Sequence, residues 1–233
     1  MRVRGGIRQF AKKYNFSYLY IYEDLLAQVQ NTAIKLHPRA QWIFKIDEDI
    51  ILCNNYFAKM KNAFDMASKD KVCEVGYVSP VLNINDYGSR IFIETMGLMP
   101  EYESRFGIYM IGNKENKIFY NSDVAKWLWS KSIPFDKVAA IVESLNKREI
   151  AISNIRVRIG AILFTREFVE RMGMFAVHGN GVLGEEELDL CAYCMNYMYK
   201  IVVAKDVFCG HLGFSHQKNV CKQFFEEHTS QIK

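Results

Sequence analysis

Proline and glycine are scarce, 4 and 14 among 233 residues, which excludes a collagen-like, linker-rich or low-complexity chain. No run approaches the roughly 18 apolar residues that a membrane-spanning helix needs. Neither sign of charge dominates: 30 Lys and Arg face 26 Asp and Glu, and the basic residues are spread along the chain. That pattern is no nucleic-acid signature, and the small excess of +4 favours an anionic partner only slightly. The first residues, MRVRGG, are basic but lack the apolar stretch of a signal peptide, so the sequence predicts a soluble, cytoplasmic product. The six cysteines (Cys53, Cys73, Cys191, Cys194, Cys209, Cys221) then read as reduced thiols.

Half the residues are hydrophobic, enough for one large α/β domain with a sizeable core over residues 1–233. Residues 16–22 (FSYLYIY) read as a strand, and 24–36 as a helix with Leu25, Leu26, Val29 and Ala33 on one stripe. Residues 41–46 (QWIFKI) read as a buried strand and 56–67 as a second helix. A strand over 72–81 is ended by Pro80 or left at a sheet edge by it. Residues 83–154 lose this regularity, apart from a helix over 134–146 that opens with proline. They read as an insertion that shapes a substrate pocket, where Trp127 and Trp129 offer either a sugar-stacking platform, core packing or a subunit contact. Regular pattern returns with a strand at 159–165, helices at 166–172 and 185–199, a strand at 201–208 and a polar C-terminal helix.

Three groups of residues carry chemistry. Asp47-Glu48-Asp49 follows the apolar strand directly, and strand periodicity puts Asp47 and Asp49 on one side. Two carboxylates crowded at a strand end repel unless a cation lies between them, and strand ends are where open α/β sheets bind ligands. The alternative is a polar turn that caps the next helix. Residues 179–190 (GNGVLGEEELDL) run a glycine-rich loop into Glu185, Glu186 and Glu187 at a helix start. These acids either gain from the helix dipole alone or supply a general base at the floor of a pocket. His211, just beyond the last strand, is either structural or a metal ligand.

In this order the motifs resemble the GT-A glycosyltransferases, family-2-like enzymes especially. The strand ending in D-x-D is IFKIDEDIIL. The family's strand and helix ending in G-x-F is similar to Gly160-Ala-Ile-Leu-Phe-Thr-Arg-Glu-Phe-Val-Glu-Arg-Met-Gly-Met-Phe175. Its acidic E-D-x-D-L is similar to Glu186-Glu187-Leu188-Asp189-Leu190, with Glu in the Asp place, and a strand and a His follow here as there. The glycine-rich approach resembles the G-x-G-x-x-G-E-D loop of galactosyltransferase-type members. The resemblance covers about residues 16–215, without the family's N-terminal nucleotide-binding strand.

The resemblance implies a GT-A, Rossmann-like fold: a mixed, mostly parallel sheet flanked by helices, with an inserted acceptor-side subdomain. It implies transfer of a sugar from a nucleotide-sugar donor to a glycan, polysaccharide or lipid-linked acceptor. Asp49, with Asp47 and His211, would hold Mn²⁺ or Mg²⁺, and Asp47 would also meet the nucleotide. Glu187 would be the base, Glu186 would stand beside it at the acceptor, and Gly181, Gly184 and Asp189 would shape the substrate loop. The mildly basic surface permits peripheral contact with an anionic membrane. Two rivals remain: an inactive GT-A remnant that serves as a binding or assembly module, and a zinc site from Cys191, Cys194, Cys209 and His211. Against the zinc site, Cys191 and Cys194 fall inside a helix rather than a turn.

Overall fold

The computed structural model describes residues 2–19, 25–177, 184–214 and 217–232. Helices α1 (Arg2–Lys13) and α2 (Leu26–Leu36) precede strand β1 (Trp42–Ile46), followed by the short β2 (Ile50–Ile51), α3 (Tyr56–Ala67) and β3 (Val75–Leu82). Four helices follow, α4 (Tyr87–Thr95), α5 (Met99–Phe106), α6 (Ser122–Lys131) and α7 (Phe135–Leu145), and then β4 (Ile150–Ser153). The chain continues with β5 (Ala161–Thr165), α8 (Arg166–Arg171), α9 (Glu185–Asn196), β6 (Lys200–His211), α10 (Lys218–Glu227) and α11 (Thr229–Ile232).

The strands form one open mixed sheet in the order β1-β5-β3-β6, with β4 and the short β2 also paired to β6. The expectation of a mostly parallel sheet is corrected: β3 and β6 are parallel, and the other four pairings are antiparallel. The reversal comes from β5, which runs against both neighbours and separates β1 from β3. Strand direction depends on where the connection delivers the chain, and an apolar five-residue run such as AILFT reads the same either way.

Strand β3 is buried along its whole length and is central rather than an edge. It tolerates Pro80 because β5 pairs only with Tyr77 and Val78, and the ladder to β6 is irregular between Pro80 and Val81. Helix α3 buries Tyr56, Met60, Ala63, Phe64 and Ala67, the i, i+4, i+7, i+8, i+11 stripe of an amphipathic helix, against β3 and β6. Each large member of that stripe contributes about 1.5–3 kcal/mol through its burial. Gly76 lets α9 approach β3, since a Cβ there would stand 2.5 Å from Cys194 Sγ. Helix α9 is less enclosed than its composition suggests, because Leu188 and Met195 are exposed.

The strand expected over residues 16–22 is absent where it can be followed. Residues 16–19 have no regular structure and expose Phe16, Tyr18 and Leu19, and residues 20–24 lie outside the described residues. The irregular pattern over 83–154 becomes four α-helices, one short 3-10 helix (Lys117–Phe119) and one strand. Its first turn is no surface loop: Asn83, Asn85, Asp86 and Ser89 are buried and hydrogen-bonded to one another and to their surroundings. No helix among the described residues is long and apolar enough to cross a membrane.

Candidate active site

Because β1, β3 and β6 point the same way, their C-terminal ends share one edge of the sheet with the start of β5. Backbone bonds lock those ends together. The Asp47 N–H donates to the Gly160 carbonyl at 2.8 Å, and the Leu212 N–H donates to the Asp49 carbonyl at 3.0 Å. Asn83, just after β3, accepts the His211 N–H on Oδ1 at 2.8 Å. A cavity of about 240 Å³ opens there, lined by Asp47, Asp49, Asn85, Arg158, Glu187 and His211 with Gly160 and Phe214. The turn after β1, the helix start at α9 and the end of β6 therefore converge on one cavity.

His211 is oriented by a backbone carbonyl. Its Nδ1 lies 2.6 Å from the Ile84 oxygen, and a carbonyl only accepts, so Nδ1 carries the hydrogen. In the neutral ring Nε2 is then left bare, 3.7 Å from Asp49 Oδ2. Burial pushes the Asp49 carboxyl up, but His211, a backbone N–H and Lys218 together outweigh it and hold the group below its ordinary value. A carbonyl-oriented imidazole beside a carboxylate fits a divalent cation, whose ligating histidine is ordinarily fixed through its other nitrogen.

Asp47 is engaged differently. Its Oδ1 lies 2.6 Å from Lys45 Nζ, two residues back on the same side of the strand, and Lys45 also donates to the Ile159 carbonyl at 2.7 Å. Burial nonetheless raises the Asp47 carboxyl, with Asp49 and Glu48 adding to the rise. The expected three-residue metal set is thus not assembled. Among the described residues no group of three or more His, Cys, Asp or Glu side chains could hold a metal ion. Asp49 and His211 make a two-donor arrangement, which suits Mg²⁺ or Mn²⁺ because such ions keep waters and take substrate phosphates as further ligands.

Glu187, in the first turn of α9, is buried; its carboxylate is paired with Arg156 Nε and accepts the Ile159 N–H at 3.3 Å. Gly184 does not line the cavity. It starts α9 at φ +90°, in the left-handed region that favours glycine, and so sets where Glu187 emerges. Glu186 is buried away from the cavity lining, Asp189 lies half-buried outside it, and Gly181 falls outside the described residues.

No protein-family profile, no curated protein and no solved structure matches the chain. The strand-end cavity is where the functional argument rests. Larger hollows exist elsewhere, among them one of about 400 Å³ and one of about 500 Å³. In the first, Asp70, Glu74 and Glu167 are already matched by Lys200 and Arg171. The second, between Trp127 and Phe224, brings together no histidine and no paired acids.

The cysteines proposed for zinc separate into different contacts. Cys191 meets the Tyr77 hydroxyl at 3.2 Å, Cys194 packs at Gly76, and Cys209 lies beside Cys53. Trp127 and Trp129 are both buried, so neither is a sugar platform. Trp129 instead donates from Nε1 to the His211 carbonyl at 3.1 Å.

Arg158, Arg156, Lys45, Asn83 and Asn85 were not singled out from sequence. Lys45 was accessible, since it precedes Asp47 by one strand period. The arginines lie in an irregular stretch before β5, where no periodicity assigns a side.

Proposed function

We propose that the chain is a metal-dependent GT-A-type glycosyltransferase that moves a sugar from a nucleotide-sugar donor to a glycan, polysaccharide or lipid-linked acceptor. The observation that carries this reading is one cavity, at the C-terminal ends of β1, β3 and β6, lined by Asp47, Asp49, Glu187 and His211. Asp49 and His211 would hold Mn²⁺ or Mg²⁺. When bound, that ion neutralises charge on the leaving nucleotide diphosphate.

Glu187 accepts the proton of the acceptor hydroxyl. Arg156 and the Ile159 N–H hold its carboxylate in place, which limits the reorientation needed during proton transfer. Asp47, neutralised by Lys45, faces the donor side. Helix α1 ends in Lys12 and Lys13 with Phe10 and Tyr14 exposed nearby, which supports peripheral contact with an anionic membrane carrying a lipid-linked acceptor.

The test is turnover of UDP-, GDP-, CMP- and dTDP-sugars with and without Mn²⁺, read as release of the nucleotide. One donor is turned over only with metal, and Asp49→Ala abolishes that activity without unfolding the chain. Glu187→Gln retains donor binding and loses turnover. Absence of both binding and turnover across the panel overturns the reading.

The pairing of Glu187 with Arg156 favours a second reading, a binding module of the same fold that holds the donor without transferring it. Donor binding to the wild-type chain with no turnover toward water or any acceptor would establish it.

A further inference from the structure

Among the described residues, the cavity contains one cation that no carboxylate pairs with directly. Its charges otherwise sort into pairs: Lys45 with Asp47, Arg156 with Glu187, and His211 beside Asp49. Arg158 lines the same cavity and forms no hydrogen bond or ion pair among the described residues. Two carboxylates lie near enough to act on its charge, Glu187 and Asp86. Both are committed elsewhere: Glu187 to Arg156 and the Ile159 N–H, Asp86 to the Gly112 N–H and the Asn116 amide.

What Arg158 does meet is aromatic. Its guanidinium carbon lies 4.5 Å from the centre of the Phe119 ring and 4.6 Å from that of Phe214. Those rings meet edge to face at 5.5 Å, and Val157 and Ile159 on either side of Arg158 are buried, so its stem has little freedom. Phe214 also meets His211 in a T-shaped contact at 5.0 Å, so the guanidinium and the imidazole both pack against this one ring. A partly buried guanidinium stacked on aromatic faces keeps its five N–H donors for a ligand, and their planar fork matches oxyanions.

We propose that Arg158 is the oxyanion-binding side chain of this cavity, taking a diphosphate group on its guanidinium fork while Phe119 and Phe214 hold the plane of that fork. The inference rests on the nucleotide-sugar reading for the identity of the ligand. It adds a protein-borne positive charge on the same phenyl ring that His211, one of the two proposed cation ligands, packs against. A diphosphate is favoured over a single carboxylate because it presents oxygens to both positions at once.

The test titrates inorganic pyrophosphate, and separately glucuronate as a monovalent carboxylate, into the full chain and into Arg158→Gln and Arg158→Lys, in the presence of Mg²⁺. Circular dichroism confirms folding of each variant. Arg158→Gln is expected to weaken pyrophosphate binding about 10- to 100-fold, the scale of a lost charge-assisted hydrogen-bond pair. Arg158→Lys recovers part of the loss, because it keeps the charge without the fork. Equal pyrophosphate affinity in wild type and Arg158→Gln overturns the inference, as does no binding to wild type at millimolar pyrophosphate. Loss confined to glucuronate moves the site to an acidic acceptor and overturns the diphosphate assignment. Failure here is separable from failure of the glycosyltransferase reading. A chain that binds pyrophosphate through Arg158 but turns over no nucleotide sugar keeps this inference and loses that one.

Discussion

His211 Nε2 faces Asp49 Oδ2 across 3.7 Å while the other ring nitrogen is fixed on the Ile84 carbonyl. Residues on two separate strands' ends are thereby held as a pair, and the backbone does most of the holding. Asn83 is the side chain that completes it, accepting both the His211 and the Ile84 N–H groups on one oxygen, each at 2.8 Å.

Asn83→Ala leaves those two N–H groups without their partner in a buried site. The loss is expected to be about 2–6 kcal/mol of stability, at 1–3 kcal/mol for each unsatisfied group. Urea unfolding measures it, and an unchanged midpoint would show that Asn83 does not hold His211.

Gly210 lies beside His211 in β6, and a Cβ there would fall 2.6 Å from Trp129 Cη2 and 3.3 Å from the Phe135 ring. The indole cannot yield easily, because its Nε1 is bound to the His211 carbonyl. Gly210→Ala should cost about 1–3 kcal/mol by overpacking and lower the Tm. Wild-type Tm in that variant contradicts this packing.

How far the sequence carried the account depends on whether the signal is local. WIFKI followed by two aspartates reads as a strand delivering acids to its end, and α3 is read residue for residue because its apolar stripe has helical spacing. Glu187 is legible as a helix-start acid. Sheet direction is not, because β5 enters antiparallel between β1 and β3 and nothing inside AILFT encodes that. Helix α1 was missed since Gly5-Gly6 interrupts its pattern, and Arg158 since its partners Phe119 and Phe214 lie 39 and 56 residues away in sequence.

The thiols should divide by burial. Burial pushes Cys194 and Cys221 up to about 12, which leaves them almost wholly as unreactive thiols at pH 8. Cys73 is only partly buried. Brief iodoacetamide treatment of the native chain, read by peptide mass, should label Cys73 before either of them. Early labelling of Cys194 would mean that α9 does not close on β3 as described.

Asp86 gives a pH dependence of known sign. Burial raises its carboxyl above the ordinary 3.8, against the opposing bonds from Gly112 and Asn116. Its ionisation is therefore harder in the folded chain than in the unfolded one. The stability it contributes is fully present below the unfolded value and is lost as pH rises through the raised folded value. Relative to Asp86→Asn, the wild-type urea midpoint should fall as pH rises from about 3.8 and then level off. A constant difference, or one of opposite slope, contradicts the assignment.

The central claim is that Asp49 and His211 form one cation site at the strand ends. Titration of Mn²⁺ into the full chain with a nucleoside diphosphate present, followed by electron paramagnetic resonance, tests it most directly. We expect saturable binding of one ion in the wild type, weakened at least about tenfold in both Asp49→Ala and His211→Ala. Wild-type affinity in either variant, or no saturable Mn²⁺ binding to the wild type, would contradict the account.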